Sequence, residues 1–83
     1  MTISLAGIVA MGLYYKNIEN NYDLMKKYYL MAIAYGNSDA MYNLGSYYDE
    51  IFYNNGLEKK YYLMAIEKGN ANAMYYLGKY YQN

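Results

Sequence analysis

The chain has 83 residues, sixteen of them tyrosine, and 7 lysines balance 7 acidic residues without any arginine or histidine. A neutral balance offers no basic face to follow a phosphate backbone, so nucleic-acid binding is not expected, even with many rings able to stack on bases. Without histidine and cysteine, the chain lacks the commonest metal ligand, the commonest general base and any disulfide framework. No catalysis, no metal and no cofactor are expected.

The first apolar run, "ISLAGIVAMGL" at 3–13, is eleven residues long, too short to cross a bilayer. It has the length of a signal peptide's apolar stretch, but no basic residue leads it and no convincing cleavage site follows. A cytoplasmic location is therefore favoured over secretion, and the run is read as the start of a helix over 3–17. "ENNYD" at 19–23 is turn-rich, and Asp23 can cap a second helix over 23–35. Gly36 then suits the left-handed residue that closes a helix, and Asn37 or Ser38 can cap the next one over 38–53. "YNNG" at 53–56 is the following turn, with a fourth helix over 57–68. Gly69 and Asn70 repeat the closing and capping pair before a fifth over 71–82.

On a wheel of about 100° per residue, the third helix is amphipathic. Ala40, Met41, Leu44, Gly45, Tyr47, Tyr48, Ile51 and Phe52 share one half, while Asp39, Tyr42, Asn43, Ser46, Asp49 and Glu50 share the other. The fourth helix shows a wide apolar arc of Leu57, Tyr61, Tyr62, Met64 and Ala65, with Leu63 intruding among the lysines. No strand pattern competes.

"KKYYLMAI" occurs at 26–33 and again at 59–66, an offset of 33 residues, and at that offset 23 of the 44 pairs from Gly7 onward are identical. Periods of this length mean stacked supersecondary units. The expectation is an all-α solenoid of antiparallel helix pairs, five helices in about two and a half repeats. The repeats run over about 7–39, 40–72 and a partial 73–83 within a single domain, 1–83. A lone pair cannot bury its apolar face, but stacked copies bury one another's, so the duplicated motif is read as an inner packing helix. Gly12, Gly45 and Gly78 recur in mid-helix, where each costs about 1 kcal/mol relative to alanine; close helix–helix contact is the expected reason.

"AMYNLGSYY" at 40–48, followed by "YYLMAIEKGNANAM" at 61–74, resembles the Sel-one-like repeat, a relative of the tetratricopeptide repeat. The matching positions are Ala40, Leu44-Gly45, Tyr48, Gly56, Tyr61-Tyr62, Ala65, Gly69-Asn70 and Ala73. The loop between paired helices is about three residues shorter than the family's usual one, Leu57-Glu58 stands where Lys-Ala is usual, and Ile66 replaces a small residue. Tyrosine- and asparagine-rich variants of this kind look similar to arrays from AT-rich genomes, including giant DNA viruses and some bacteria. The resemblance implies a non-catalytic protein–protein interaction module, an adaptor or assembly scaffold. Its groove would be lined by the polar arc of the odd-numbered helices.

On that reading Tyr42 and Tyr75 are aromatic anchors among Asp39, Ser46, Asp49 and Lys79, facing a protein or peptide partner; the alternative is a half-covered tyrosine lying on the neighbouring repeat. The carboxylates are otherwise read as solvated, with no pair facing one cleft. Val9 and Leu13 take the positions of Tyr42 and Ser46 in the first helix, which is apolar nearly all round and so is expected to be covered from outside its own repeat. The alternative function is a self-associating structural subunit, a homo-oligomer joined through its terminal helices.

Overall fold

A computed structural model describes residues 4–81, with side chains as far as Lys79. Residue 3 of the first expected helix and residue 82 of the fifth lie outside the described residues. Within them the chain is all-helical: α1 (Leu5–Asn17), α2 (Tyr22–Ala34), α3 (Ser38–Glu50), α4 (Asn55–Glu67) and α5 (Ala71–Tyr81). The bounds of α3 and α4 are those of α1 and α2 shifted by 33 residues. The helices pack mainly as the pairs α1·α2 and α3·α4, joined by lighter α2·α3 and α4·α5 contacts. The result is a slab of 45 × 25 × 16 Å.

Local chemistry sets these bounds. Asn21, Asn37 and Asn54 each accept a hydrogen bond from the backbone N–H three residues on, at 3.1, 2.9 and 3.0 Å, satisfying a donor that the helix itself leaves unpaired. Gly36 and Gly69 close α2 and α4 at φ +83°, where an L side chain is strained. Two expected starts are corrected. Asn21, rather than Asp23, caps α2, and α4 begins at Asn55 rather than Leu57. Asn21 and Asn54 are 33 apart, so the repeat itself held that signal. α3 also ends at Glu50 rather than 53, because the turn after it folds Phe52 back onto Tyr47, with ring centroids 6.3 Å apart.

The core is a row of repeated contacts. One cluster gathers Ile8, Val9, Met25, Tyr29, Ala32, Ala40, Leu44 and Tyr47, with Leu13 packed at its edge. A second gathers Met41, Tyr62, Ala65 and Ala73. Tyr29 lies against Gly12 and Tyr62 against Gly45. A Cβ on these glycines would stand 2.5 and 2.7 Å from the tyrosine rings, so the two mid-helix glycines are seats for the following helix's tyrosine. The "KKYYLMAI" motif is only partly inner: Tyr29 and Ala32, like Tyr62 and Ala65, are buried, whereas Leu30, Met31 and Leu63 are exposed. Each even-numbered helix covers its neighbours with one stripe and turns the rest to solvent.

The first helix corrects another expectation. Val9 is buried inside the chain and Leu13 packs on the same cluster, so these residues are covered from within rather than awaiting a partner. The physical reason lies in α3. Ser46, at the position of Leu13, is also buried, and its hydroxyl is 3.2 Å from that of Tyr62. Part of the assigned polar arc, at Ser46, is thus packed within the chain.

The two tyrosines differ in consequence. Where Tyr62 has Ser46, Tyr29 has Leu13, and the Tyr29 hydroxyl is buried with no hydrogen-bond partner among the described residues. Burial pushes its pKa up to about 12. An unpaired buried hydroxyl costs about 1–3 kcal/mol, whereas a satisfied one contributes about 1 kcal/mol. Tyr29→Phe is expected to leave the denaturant midpoint unchanged or raise it. Tyr62→Phe, which orphans Ser46, should lower stability by about 1–2 kcal/mol. Chemical denaturation of both variants checks the contrast in sign.

Candidate functional site

The residues expected to share one groove are separated by the fold. Val9, Leu13 and Ser46 are packed within the chain. Tyr42 is half-buried in an aromatic cluster, its ring 5.8 Å from Tyr62 and 5.6 Å from Tyr76. Asp39 is exposed at the start of α3, where its carboxylate accepts a bond of 3.1 Å from the amide of buried Asn70. That amide also donates to the Ser38 hydroxyl at 3.3 Å while its oxygen caps α5. Asp39 thus anchors the turn between α4 and α5 to α3. Its counterpart one repeat earlier is Ala6, so the bridge exists once.

Asp49, Tyr75 and Lys79 remain accessible, and all three lie toward the α5 end of the slab. Two concavities meet there. One is a cleft of about 220 Å³ between α4 and α5, with Asp49, Glu58, Tyr62, Tyr76, Leu77 and Lys79 in its wall. The other is a shallow groove along α5 formed by Met74, Tyr75, Gly78 and Lys79.

The cleft overturns the expectation that no two carboxylates face one cleft. Glu58 is buried on α4, and it shares this cleft wall with Asp49. Loss of hydration, and secondarily the adjoining Asp49, push the Glu58 pKa up to about 7. Near neutral pH the Glu58 carboxyl is therefore about half protonated beside Asp49. In the sequence the two residues are nine apart and on different helices. Their counterparts in the first repeat are Lys16 and Met25, so no repetition flags them.

The proton has a stability consequence. The unfolded pKa is 4.5 and the folded one about 7. The protonated pair therefore contributes its full stability below pH 4.5 and loses it as pH rises to about 7. Lys59, Lys79, Asp49, Tyr62 and Tyr76 are the other titratable groups around Glu58 in the cleft wall. With one pKa unit equal to about 1.4 kcal/mol and the cleft open to water, roughly 1–3 kcal/mol is at stake. Thermal midpoints measured from pH 4.5 to 8 should fall for the wild type, and this slope should flatten in Glu58→Gln.

The α5 groove is the second repeat's packing face without its cover. Met41 on α3 is 3 % exposed and Met74, its equivalent on α5, is 47 % exposed. Tyr42 is half-buried while Tyr75 stands 68 % exposed. Among the described residues nothing stands within 4 Å of a Cβ placed on Gly78, in contrast to Gly12 and Gly45. At the opposite end, Tyr14 is 47 % exposed. Its equivalent Tyr47 is buried beneath Tyr22 and the Lys26 ammonium of α2, at 5.5 and 5.7 Å from its ring centroid.

Among the described residues no group of three or more histidine, cysteine or acidic side chains could hold a metal ion, and no helix is long and apolar enough to cross a membrane. In comparisons with known proteins, no family model, curated protein or solved structure matches this chain.

Proposed function

We propose that the chain is a non-catalytic protein–protein interaction module, an adaptor or assembly scaffold built like a Sel-one-like repeat array. The observation that carries this reading is the contrast between α3 and α5, which share "AMY" and "LG" at matching positions. α3 buries Met41 and half-buries Tyr42; α5 offers Met74 and Tyr75 to solvent. Contiguous exposed apolar and aromatic surface marks an interaction site, and tyrosine supplies large contact area at low entropic cost. No nucleic acid or membrane enters this reading; the partner is a protein or peptide.

A second reading, the self-associating structural subunit, draws on both ends at once. Leu5 and Tyr14 are exposed on α1 just as Met74 and Tyr75 are on α5, and complementary ends on one chain give a head-to-tail assembly.

The test is affinity capture from the native host alongside sedimentation, comparing the wild type with a Met74→Glu/Tyr75→Glu variant. Loss of a stoichiometric protein partner in the variant supports the module. Loss of a homo-oligomer supports the subunit. A wild-type chain that is monomeric and captures nothing, or a variant that keeps its partner and its mass, overturns both.

A further inference from the structure

The chain twice displays what belongs on the open face of α5. On α1 the seat at Gly12 receives Tyr29 from α2, and on α3 the seat at Gly45 receives Tyr62 from α4. Each incoming helix buries that tyrosine and the alanine three residues later, Ala32 or Ala65. The seats need glycine because the ring lies where a Cβ would be, at 2.5–2.8 Å from its nearest atoms. α5 carries the same glycine at Gly78, with Met74 and Tyr75 beside it in a shallow groove, and nothing among the described residues stands within 4 Å of a Cβ placed there. A mid-helix glycine costs about 1 kcal/mol relative to alanine. At Gly12 and Gly45 the close approach of a ring offsets this, and at Gly78 no described group does.

We propose that Gly78 is a third seat, and that α5 binds a helix presented by a partner protein, an amphipathic helix of the α2 and α4 type. Its recognition element is a tyrosine followed three residues later by alanine, the ring lying flat over Gly78. On the interaction-module reading a second copy of this chain does not supply that helix. The spacing Tyr-x-x-Ala occurs only at Tyr29–Ala32 and Tyr62–Ala65, and both tyrosines are already buried in their own seats. The proposal rests on the interaction-module reading and names its partner's chemistry.

The probe is a synthetic peptide of residues 54–68, "NNGLEKKYYLMAIEK", stapled between the positions of Lys59 and Leu63, which are exposed on α4. The staple is needed because an isolated helix of this length is marginal in water. The labelled peptide is titrated with the full 83-residue chain by fluorescence anisotropy. Saturable one-to-one binding is expected, at least tenfold weaker for a peptide with Tyr62→Ala and at least tenfold weaker for a chain with Gly78→Ala. The thermal midpoint of the Gly78→Ala chain should be no lower than that of the wild type, which separates a closed seat from a misfolded one. Absence of binding to the wild-type chain at millimolar peptide overturns the proposal, as does binding that Gly78→Ala leaves unchanged. If the wild type and Gly78→Ala capture the same cellular partner equally, the seat at Gly78 is wrong while the interaction-module reading stands.

Discussion

Leu44→Ala is expected to lower the unfolding free energy by about 2–5 kcal/mol, the range for deleting a fully buried leucine whose surroundings collapse only in part. Leu44 is 0 % exposed and lies in the first core cluster beside Tyr29, Met25 and Tyr47. α3 carries it, and α3 packs on both α2 and α4, so a cavity there loosens two interfaces together. For a domain of this size each kcal/mol moves the thermal midpoint by about 4–8 °C, so the variant should melt well below the wild type. Leu77, the same position on α5, is only half-buried, and Leu77→Ala should cost clearly less. Equal losses at the two positions would mean that α5 is covered in solution as α3 is.

The second large effect is one of opposite signs at equivalent glycines. Gly45→Ala places a Cβ 2.7 Å from the Tyr62 ring. That ring has little freedom to retreat. It is stacked on Tyr76 at 5.9 Å, flanked by Tyr42 at 5.8 Å, and tied by its hydroxyl to Ser46. Overpacking of this kind costs about 1–3 kcal/mol and outweighs the gain in helix propensity. Gly78→Ala meets open space and should gain up to about 1 kcal/mol from propensity alone. Urea midpoints of the two variants, expected on either side of the wild type, check the assignment. A loss at Gly78 as large as that at Gly45 would show that its seat is filled in the isolated chain.

The candidate site was legible in the sequence only in part. The polar arc of the fifth helix carries Tyr75 and Lys79, and both are exposed. A single-helix wheel puts Tyr42 and Ser46 with them because it divides residues into two halves, and the 33-residue offset carries those two positions back to Val9 and Leu13. An inner helix of a stack is covered along more than one direction, so positions on the polar half meet a neighbour. Ser46 reaches the Tyr62 hydroxyl, and Tyr42 lies between the rings of Tyr62 and Tyr76. The Asp49–Glu58 pair escaped for a different reason. Neither residue repeats at 33, and only the packing of α3 on α4 brings their carboxyls together.

What the sequence determined by itself is the set of five helices and their period. An asparagine cap reaches three residues forward, and a glycine at φ +83° closes the turn that it occupies. These are interactions between chain neighbours, so they read the same in each copy of the repeat, and the helix bounds recur at 33 residues as the identities do. What only the tertiary structure decided is which of two identical residues is covered. Met41 and Met74, Tyr47 and Tyr14, Gly45 and Gly78 have matching identities and opposite surroundings. Burial is not a property of the residue and its neighbours in sequence. It depends on whether another helix, about seventeen residues farther along the chain from each glycine seat to its tyrosine, is there to exclude water from that face.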